Sequence, residues 1–397
     1  MHAKVFQLSP RGSWRGDEPD SNLDSPRTLV LVFGPSAAIT APASVTDVVA
    51  KFPHAVIMGC STAGEIVGDT VVSDSVTVAV ATFTHTRLQA ASAELAGAVD
   101  SYRAGHDLGT TLVADDLVSV LVLAPGLDVN GSELVRGLTE TLPPQVVVTG
   151  GLAGDADRFA QTWVLADGVL NDQMATAVGF YGDRLVVGHG SRGGWEIFGP
   201  ERRVTRSEYN VVYEIDHRPA LALYRQYLGE LAAGLPGTGL HFPLAVRESL
   251  DADRQLVRTV LAIDEDAQSM TFAGDIPQGW WAQLMRASAE QLIDGAEAAA
   301  ELATSTMNLD SVAAGDSSDV PASSDTPGET LAIAISCVGR RMVLGQDTDE
   351  EVEATLDMLP AGTVQVGFYS YGELSPYDTG RCELHNQSMT LTTLRET

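Results

Sequence analysis

The segment Val56-Ile57-Met58-Gly59-Cys60-Ser61-Thr62-Ala63-Gly64-Glu65-Ile66 contains the strand-and-loop pattern that best indicates the fold of this chain. It begins as an apolar strand, turns polar between two glycines, and becomes apolar again. Glycine permits backbone conformations and close approaches that a side chain would block. The loop is therefore suited to present backbone N–H groups, a thiol, hydroxyls and a carboxylate to a small ligand. A tight turn whose glycines serve geometry alone explains a single such loop equally well.

The order of elements around this segment recurs along the chain. The first unit, residues 28–83, predicts a strand, a helix, the strand that enters the loop, and a further alternating strand. Residues 117–181 repeat that order and contain Gly150-Gly-Leu-Ala-Gly-Asp155, with Gly150 aligned to Cys60. A third version near the C-terminus contains Gly367-Phe-Tyr-Ser-Tyr-Gly-Glu373. We interpret the pattern as an internal duplication, which makes an accidental turn a poor explanation.

These patterns predict an α/β protein of two modules, built from repeated strand-helix-strand units with mixed β-sheets covered by helices. Residues 1–27 are mostly polar and predict a flexible N-terminal tail. The first module is expected over residues 28–205 and the second over residues 206–397. Residues 305–329 are rich in Ser, Asp, Ala, Pro and Gly and predict a disordered insertion.

Composition excludes several classes of function. The net charge of -29 opposes binding to nucleic acid or to an anionic membrane surface. No apolar run approaches the roughly 18 residues that a membrane span requires. The N-terminus shows no secretory signal pattern, and three cysteines without CxxC spacing favour neither a disulfide framework nor a zinc site. We therefore expect a cytoplasmic protein.

An enzyme remains an alternative at this point. Cys60 would be a nucleophile if nearby N–H groups activated it, but the aligned positions in the other units hold Gly150 and Phe368. The loop carboxylates would form a metal or acid–base cluster only if they converged. A simpler role for them is to accept backbone N–H bonds that hold each turn.

A binding role is the first hypothesis. Tyr369 and Tyr371 offer aromatic walls, and His385 and Asn386 offer an imidazole and an amide, a combination suited to a small polar ligand. Aromatic residues at strand ends are as often core. The predicted ligand-binding residues are Cys60, Ser61, Thr62, Gly64, Glu65, Gly150, Gly151, Gly154, Asp155, Tyr369, Ser370, Tyr371, Glu373, His385 and Asn386.

The motifs resemble those of the FIST family of sensory domains. The segments around Gly59–Ile66 and Gly150–Asp155 are similar to its N-terminal module. Ala273-Gly-Asp275, Gly367–Glu373 and His385-Asn-Gln-Ser-Met-Thr390 are similar to its C-terminal module. The resemblance covers nearly the whole chain from about residue 28.

The resemblance implies a bacterial-type sensor of small ligands, amino acids being one proposal. Such modules accompany kinases, cyclases or chemotaxis receptors. Because this chain has no room for an output domain, we expect a separate signalling partner such as a histidine kinase or a cyclase.

One branch with a similar layout is proposed to bind haem b and sense nitric oxide, a diatomic gas. That branch implies a histidine as axial ligand. His241, flanked by apolar residues, is the first candidate, ahead of His385 and His189.

Overall fold

The computed structural model describes residues 1–9, 12–39, 42–252, 254–313, 329–376 and 380–397. The first strands are β1 (His2–Leu8), β2 (Trp14–Arg15), β3 (Thr28–Pro35), β4 (Val56–Thr62), β5 (Glu65–Val67), β6 (Thr70–Val72), β7 (Val76–Thr82), β8 (Arg87–Glu94), β9 (Leu117–Ala124), β10 (Val147–Leu152), β11 (Val164–Ala166), β12 (Val169–Asn171), β13 (Met174–Tyr181) and β14 (Leu185–Arg192). The remaining strands are β15 (Glu196–Glu208), β16 (Val211–Ile215), β17 (Arg218–Pro219), β18 (Leu244–Arg247), β19 (Leu256–Arg258), β20 (Val260–Asp264), β21 (Ser269–Phe272), β22 (Trp281–Arg286), β23 (Leu331–Cys337), β24 (Val364–Ser370), β25 (Gly372–Pro376), β26 (Cys382–His385) and β27 (Met389–Glu396).

The α-helices are α1 (Ser36–Ile39), α2 (Pro42–Lys51), α3 (Ser101–Leu112), α4 (Gly131–Thr141), α5 (Ala220–Leu228), α6 (Ala289–Ala313), α7 (Val338–Leu344) and α8 (Thr348–Asp357). Short 3₁₀ helices span Ser21–Leu23, Ala98–Asp100, Gly229–Gly234, Gly237–His241 and Gly345–Asp347. The predicted mixed α/β class is confirmed. Across the described residues, every helix lacks the combination of length and hydropathy needed to cross a bilayer.

Three mixed sheets share one strand plan, which confirms the repeated units. Their orders are β12-β11-β4-β3-β7-β1-β2, β26-β25-β10-β9-β13-β8 and β6-β5-β24-β23-β27-β14. Each sheet contains one parallel pair, namely β3 with β4, β9 with β10, and β23 with β24. On one side of that pair lie two antiparallel strands, to which the first sheet adds the short β2, and on the other side lies a hairpin.

Each of these hairpins belongs to a neighbouring unit. The hairpin β5–β6 leaves the first unit and pairs with β24, β25–β26 leaves the third unit and pairs with β10, and β11–β12 leaves the second unit and pairs with β4. The exchange is cyclic, so the arrangement has approximate threefold symmetry. Because every hairpin starts at the loop that follows a parallel strand, the three Gly-acid loops meet at the centre.

The predicted flexible N-terminal tail is wrong for its first residues. β1 pairs antiparallel with β7 across His2 to Leu8, and Ala3 and Leu8 are buried. β1 holds the place in the first sheet that β8 and β14 hold in the other two. The polar residues of β1 weaken the strand pattern in the sequence. The strand is stabilised by pairing with the edge of β7 rather than by its own hydrophobicity.

The alignment of Gly150 with Cys60 is also wrong, by one residue. By strand pairing, Gly150 is the equivalent of Gly59 in the first unit, and Gly151 is the equivalent of Cys60. A Cβ at Gly59 would lie 2.0 Å from a backbone oxygen of β3, one at Gly150 would lie 1.9 Å from a backbone oxygen of β9, and one at Gly367 would lie 1.6 Å from a backbone oxygen of β23. The close approach of the two parallel strands therefore requires these three glycines.

The predicted disordered insertion at residues 305–329 begins too early. α6 continues to Ala313, and Met307 within it is fully buried. The polar composition that suggested disorder reflects hydroxyls such as that of Thr306, which bonds back to the helix carbonyl of Leu302 at 3.0 Å. Residues 314–328 lie outside the described part of the chain.

A separate sheet is inserted between the second and third units. Its order is β19-β18-β22-β15-β16-β21-β20, with β17 paired to β16, and its hydrophobic core includes Val204, Tyr224 and Phe272. In space, the chain thus divides into the three-sheet body and this inserted sheet. The module boundary predicted at residues 205/206 falls inside β15.

Candidate ligand-binding site

The three Gly-acid loops form one junction held by backbone hydrogen bonds. The Ala63 N–H donates to the Tyr369 carbonyl at 2.8 Å, and the Tyr371 N–H donates to the Leu152 carbonyl at 3.2 Å. A further bond runs from the Gly154 N–H to the first loop at 2.9 Å. Each loop thus binds the next, and the junction is a structural hub.

Glu65, the acid of the first loop, is fully buried in this hub. The Thr62 hydroxyl donates to its Oε1, and Oε2 has no hydrogen-bond partner among the described residues. Burial raises the pKa of Glu65 to about 8, against the lowering effects of Thr62 and the Arg341 guanidinium. At neutral pH the carboxyl is therefore mostly protonated, which suits an unpaired oxygen in an apolar setting.

The acids of the other loops hold their own turns. Asp155 accepts the N–H groups of Ala160 at 2.9 Å and Gln161 at 3.0 Å. Burial acts to raise the pKa of Asp155, but the hydroxyl of Tyr371 and these N–H groups outweigh it and lower the pKa. Glu373 accepts the Ser370 hydroxyl at 2.7 Å, and burial raises its pKa to about 7.

The hub offers little to the enzyme hypothesis. Cys60 is fully buried, and burial raises the pKa of its thiol well above the ordinary value, so the nucleophilic thiolate is disfavoured. Within the described ranges, no group of three or more His, Cys, Asp or Glu side chains is arranged to hold a metal ion.

The structure separates the residues that were predicted to form one aromatic-walled surface. Tyr369 is buried, and its hydroxyl donates to Glu351 at 2.5 Å. Tyr371 is also buried and stacks on Phe159 with ring centroids 4.6 Å apart. Of the predicted residues, His385 and Asn386 line a cavity in the described part of the chain. The other predicted ligand residues lie buried in or beside the hub: Cys60, Ser61, Thr62, Gly64, Glu65, Gly150, Gly151, Gly154, Asp155, Tyr369, Ser370, Tyr371 and Glu373.

The cavity beside the hub, here called the Asn386 cavity, has a volume of about 360 Å³. Its wall consists of residues 191–195, residues 255–257, Met285, His385, Asn386 and Ser388. It lies where the third unit meets the inserted sheet. Its size suits a small ligand.

Asn386 is the outstanding polar group of this cavity. Its side chain is 2% exposed, and neither Nδ2 nor Oδ1 has a hydrogen-bond partner among the described residues. A buried polar group without a partner costs about 1–3 kcal/mol. Such a group in a native structure calls for an explanation, and a ligand that supplies both an acceptor and a donor provides one.

The backbone around Asn386 is fixed by its neighbours. Gln387 adopts a left-handed conformation with φ of 63°, and its carbonyl accepts the Trp195 indole N–H at 2.8 Å. The Gln387 amide donates to the Leu240 carbonyl at 2.9 Å. Ser388 donates its N–H and hydroxyl to Glu373. The unpaired amide of Asn386 is therefore held in place from both chain directions.

A buried ion pair joins two walls of the cavity. Arg340 lies 2.6 Å from Glu351, and both side chains are fully buried. The Arg340 guanidinium also donates to the carbonyls of Gly193 and Gln387, one on each wall. Neither Arg340 nor Glu351 is among the predicted ligand-binding residues, although Arg340 ends the segment Ile335-Ser-Cys-Val-Gly-Arg340, which resembles the C-terminal module of the FIST family.

The three histidines predicted as haem ligands are His241, His385 and His189, and their surroundings differ. Burial lowers the pKa of both His241 and His189, which favours the neutral imidazole that iron binds. However, the flanks of His241 are used for packing: Leu240 is 1% exposed, and the Phe242 carbonyl accepts the Tyr224 hydroxyl at 2.6 Å. The residues on both sides of His241 are therefore already engaged in packing. His385 Nε2 lies 3.0 Å from the Ser375 carbonyl, which makes this nitrogen the proton donor.

The protein is of the mixed α/β class, with three interlocked units, an inserted sheet and a side cavity. The FIST N domain model matches residues 28–218, and the FIST C domain model matches residues 220–376. The chain therefore belongs to the FIST family, whose domains are generally small-ligand-sensing domains of signal transduction. A search of curated proteins found no match.

Proposed function

We propose that this protein is a sensor that binds a small polar ligand in the Asn386 cavity. The observation that carries the proposal is the buried amide of Asn386 with both polar atoms unpaired. The hub is an unsuitable site because its side chains are buried against one another. The cavity instead opens beside it, on a backbone fixed by Glu373 and Trp195.

The chemistry of the cavity favours a ligand with both a donor and an acceptor. Asn386 supplies one of each, Trp195 supplies an aromatic face, and the exposed side chain of Arg192 supplies a positive charge at the wall. An amino acid matches this set, since its carboxylate suits a guanidinium and its ammonium group suits the amide oxygen.

A thermal-shift screen of the full chain with the proteinogenic amino acids tests the proposal. A ligand at about 100 times its Kd stabilises the fold by roughly 2.7 kcal/mol, a readily measured shift. We expect Asn386→Leu to abolish the response. The matched control is Asn210→Leu, because Asn210 already donates to the Phe272 carbonyl at 2.8 Å in the inserted sheet. A response that survives Asn386→Leu would place the ligand elsewhere.

Haem binding with nitric oxide sensing is the second candidate. The neutral imidazole of His241 favours it, and the packed flanks of that residue oppose it. The ultraviolet–visible spectrum of the purified protein with added haem decides between them. A Soret band that disappears in His241→Ala would support the haem candidate, whereas a spectrum of free haem alone would remove it.

The signalling partner and the cellular location of the protein are inferred from its family and its charge. We infer a cytoplasmic protein that reports to a separate signalling protein such as a histidine kinase or a cyclase. Support comes from membership of a sensory family and from the net charge of -29, which opposes nucleic acid and anionic membranes. Co-purification with a candidate kinase, lost when the ligand is removed, is the expected result.

A further inference from the structure

A second cavity is lined by residues of the first-module helix α4, of β26 and of the inserted sheet. We call it the Arg258 cavity, and its volume is about 310 Å³. Arg258 from β19 and Asp275 form its floor, Ser132 and Arg136 of α4 line one wall, and Arg254 and Glu383 line the other. It is distinct from the Asn386 cavity, although β26 contributes residues to both.

Arg258 is a buried cation that lines this cavity. Its side chain is 4% exposed, yet no carboxylate of the described residues lies within ion-pair distance of it. Nε donates to the Asp275 carbonyl at 3.0 Å, and Nη1 donates to the carbonyls of Val257 at 3.0 Å and Leu384 at 3.2 Å. These bonds fix the guanidinium and leave its Nη2 without a partner in the described chain. A buried cation with neutral partners only is costly unless a counter-ion joins it.

A second unpaired group faces the same space from the first module. The hydroxyl oxygen of Ser132 is buried without a hydrogen-bond partner among the described residues. Ser132 lies in the first turn of α4, where backbone N–H groups and the helix dipole also favour negative charge. Two independent donors, Arg258 Nη2 and Ser132 Oγ, are thus available to one acceptor ligand.

The two acids of the cavity limit the charge of that ligand. Asp275 already accepts the Asn130 amide at 3.0 Å, and Glu383 is paired with Arg254. Arg136 is engaged by Glu133 at 2.6 Å. Because the two carboxylates remain close to the site, a dianion such as phosphate would be repelled more strongly than a monoanion.

We infer that the Arg258 cavity is a binding site for a small monocarboxylate, held between the two family modules by Arg258 and Ser132. The carboxylate oxygens accept the charge-assisted bond from Arg258 Nη2 and the bond from the Ser132 hydroxyl. The ligand thereby joins α4 of the first module to β19 of the inserted sheet.

The burial of Arg258 is consistent with this assignment. Burial lowers the pKa of Arg258 to about 10, although Asp275 and Glu383 act to raise it. The guanidinium therefore remains charged at neutral pH and keeps its demand for a counter-ion.

Thermal shift and isothermal titration calorimetry with a series of sodium monocarboxylates, from acetate to benzoate, test the inference. Sodium chloride and sodium phosphate at the same ionic strength are the references. We expect a saturable stabilisation by at least one monocarboxylate that exceeds both references. No saturable response to any of them, or a larger response to phosphate, would overturn the inference.

Variants locate the response. Ser132→Ala and Arg258→Gln should each weaken binding by about ten-fold to hundred-fold, since each loses a hydrogen bond to a charged group. Ser132→Ala removes only an unpaired hydroxyl and should fold normally, so it remains informative if Arg258→Gln does not. The control is Arg206→Gln, because Arg206 is exposed and its partner Glu214 lies 3.2 Å away in the inserted sheet.

The Asn386→Leu variant tells the two cavities apart. A monocarboxylate bound at Arg258 keeps its effect in that variant, whereas a ligand of the Asn386 cavity loses it. Unchanged affinity in both Ser132→Ala and Arg258→Gln would contradict the assignment.

Discussion

Glu373 Oε2 accepts both the N–H of Ser388, at 3.1 Å, and the hydroxyl of Ser388, at 2.9 Å. The acid of the third loop therefore fixes the segment that carries Asn386, two residues earlier. This pair connects the central hub to the Asn386 cavity, so the turn of the third loop and the wall of the cavity depend on the same carboxylate.

The unpaired amide of Asn386 is expected to lower the stability of the ligand-free protein while it serves ligand binding. Asn386→Leu replaces a polar group of similar volume that has no partner, so the free protein should gain up to about 1–3 kcal/mol in the free energy of unfolding. Asn210→Leu should instead destabilise, since it removes the hydrogen bond to the Phe272 carbonyl. Urea denaturation of both variants measures the difference. A strongly destabilised Asn386→Leu would argue against the unpaired amide.

Glu65 predicts that stability falls as the pH rises. Its pKa is about 8 in the fold, against an ordinary value of 4.5, so the folded state retains a proton that the unfolded state releases. The stabilisation is present below pH 4.5 and is lost as the pH rises to about 8, with a slope of up to about 1.4 kcal/mol per pH unit. Glu65→Gln should flatten this decline in chemical denaturation between pH 5 and pH 8. Equal slopes in both proteins would contradict the assignment.

Glu396 provides the opposite case. Burial acts to raise its pKa, but the N–H groups of Thr84, His85 and Thr86 and the Thr86 hydroxyl lower it to about 2. Its stabilisation is therefore present above its ordinary pKa of 4.5 and is lost as the pH falls toward 2. Glu396→Gln should lower stability at neutral pH and weaken the acid-side dependence, while leaving the decline above pH 5 unchanged. The same denaturation series measures it.

The buried pair Arg340 and Glu351 predicts strong coupling. Arg340→Met leaves a buried carboxylate without its cation and should cost about 3–5 kcal/mol. The double variant Arg340→Met/Glu351→Leu should recover part of that loss, because it removes the unpaired charge but leaves the Tyr369 hydroxyl without its Glu351 acceptor. A double-mutant cycle by urea denaturation gives the coupling. Arg206→Gln, at an exposed pair, should change stability by less than about 1 kcal/mol.

Gly59 predicts a steric limit. Gly59→Ala places a Cβ 2.0 Å from the Val32 carbonyl oxygen. This oxygen belongs to the backbone of the paired strand β3, so relieving the clash would require β3 and β4 to move apart and lose their hydrogen bonds. We expect a loss of about 3 kcal/mol, the upper end of the usual range for overpacking. Gly97→Ala is the control, since Gly97 has an extended backbone with φ of 172° and nothing within 4 Å of its added Cβ. Thermal unfolding of the two variants should differ sharply; similar melting temperatures would show that the strands relax.

Local pattern in the sequence determined the α/β class, the repeated units and the three Gly-acid loops. Alternating apolar strands, glycine-bounded loops and the spacing between them are short-range features, and the sequence carries them directly. The same pattern favoured a structural role for the acids. Asp155 does accept backbone N–H groups of its own turn, and Glu373 accepts the hydroxyl of Ser370 in its turn and the N–H of the more distant Ser388. The amide of Asn386, next to the imidazole of His385, also placed Asn386 among the predicted ligand-binding residues.

Only the tertiary structure decided which of those candidates face a cavity. The cyclic exchange of hairpins buries Tyr369 and Tyr371 in the hub, and β1 becomes a strand because β7 presents an open edge. Arg258 and Ser132 are far apart in the chain and line the same cavity only because the fold brings β19 and α4 to one place. Such long-range pairing depends on the free energy of the whole fold, and no local window of the sequence contains it.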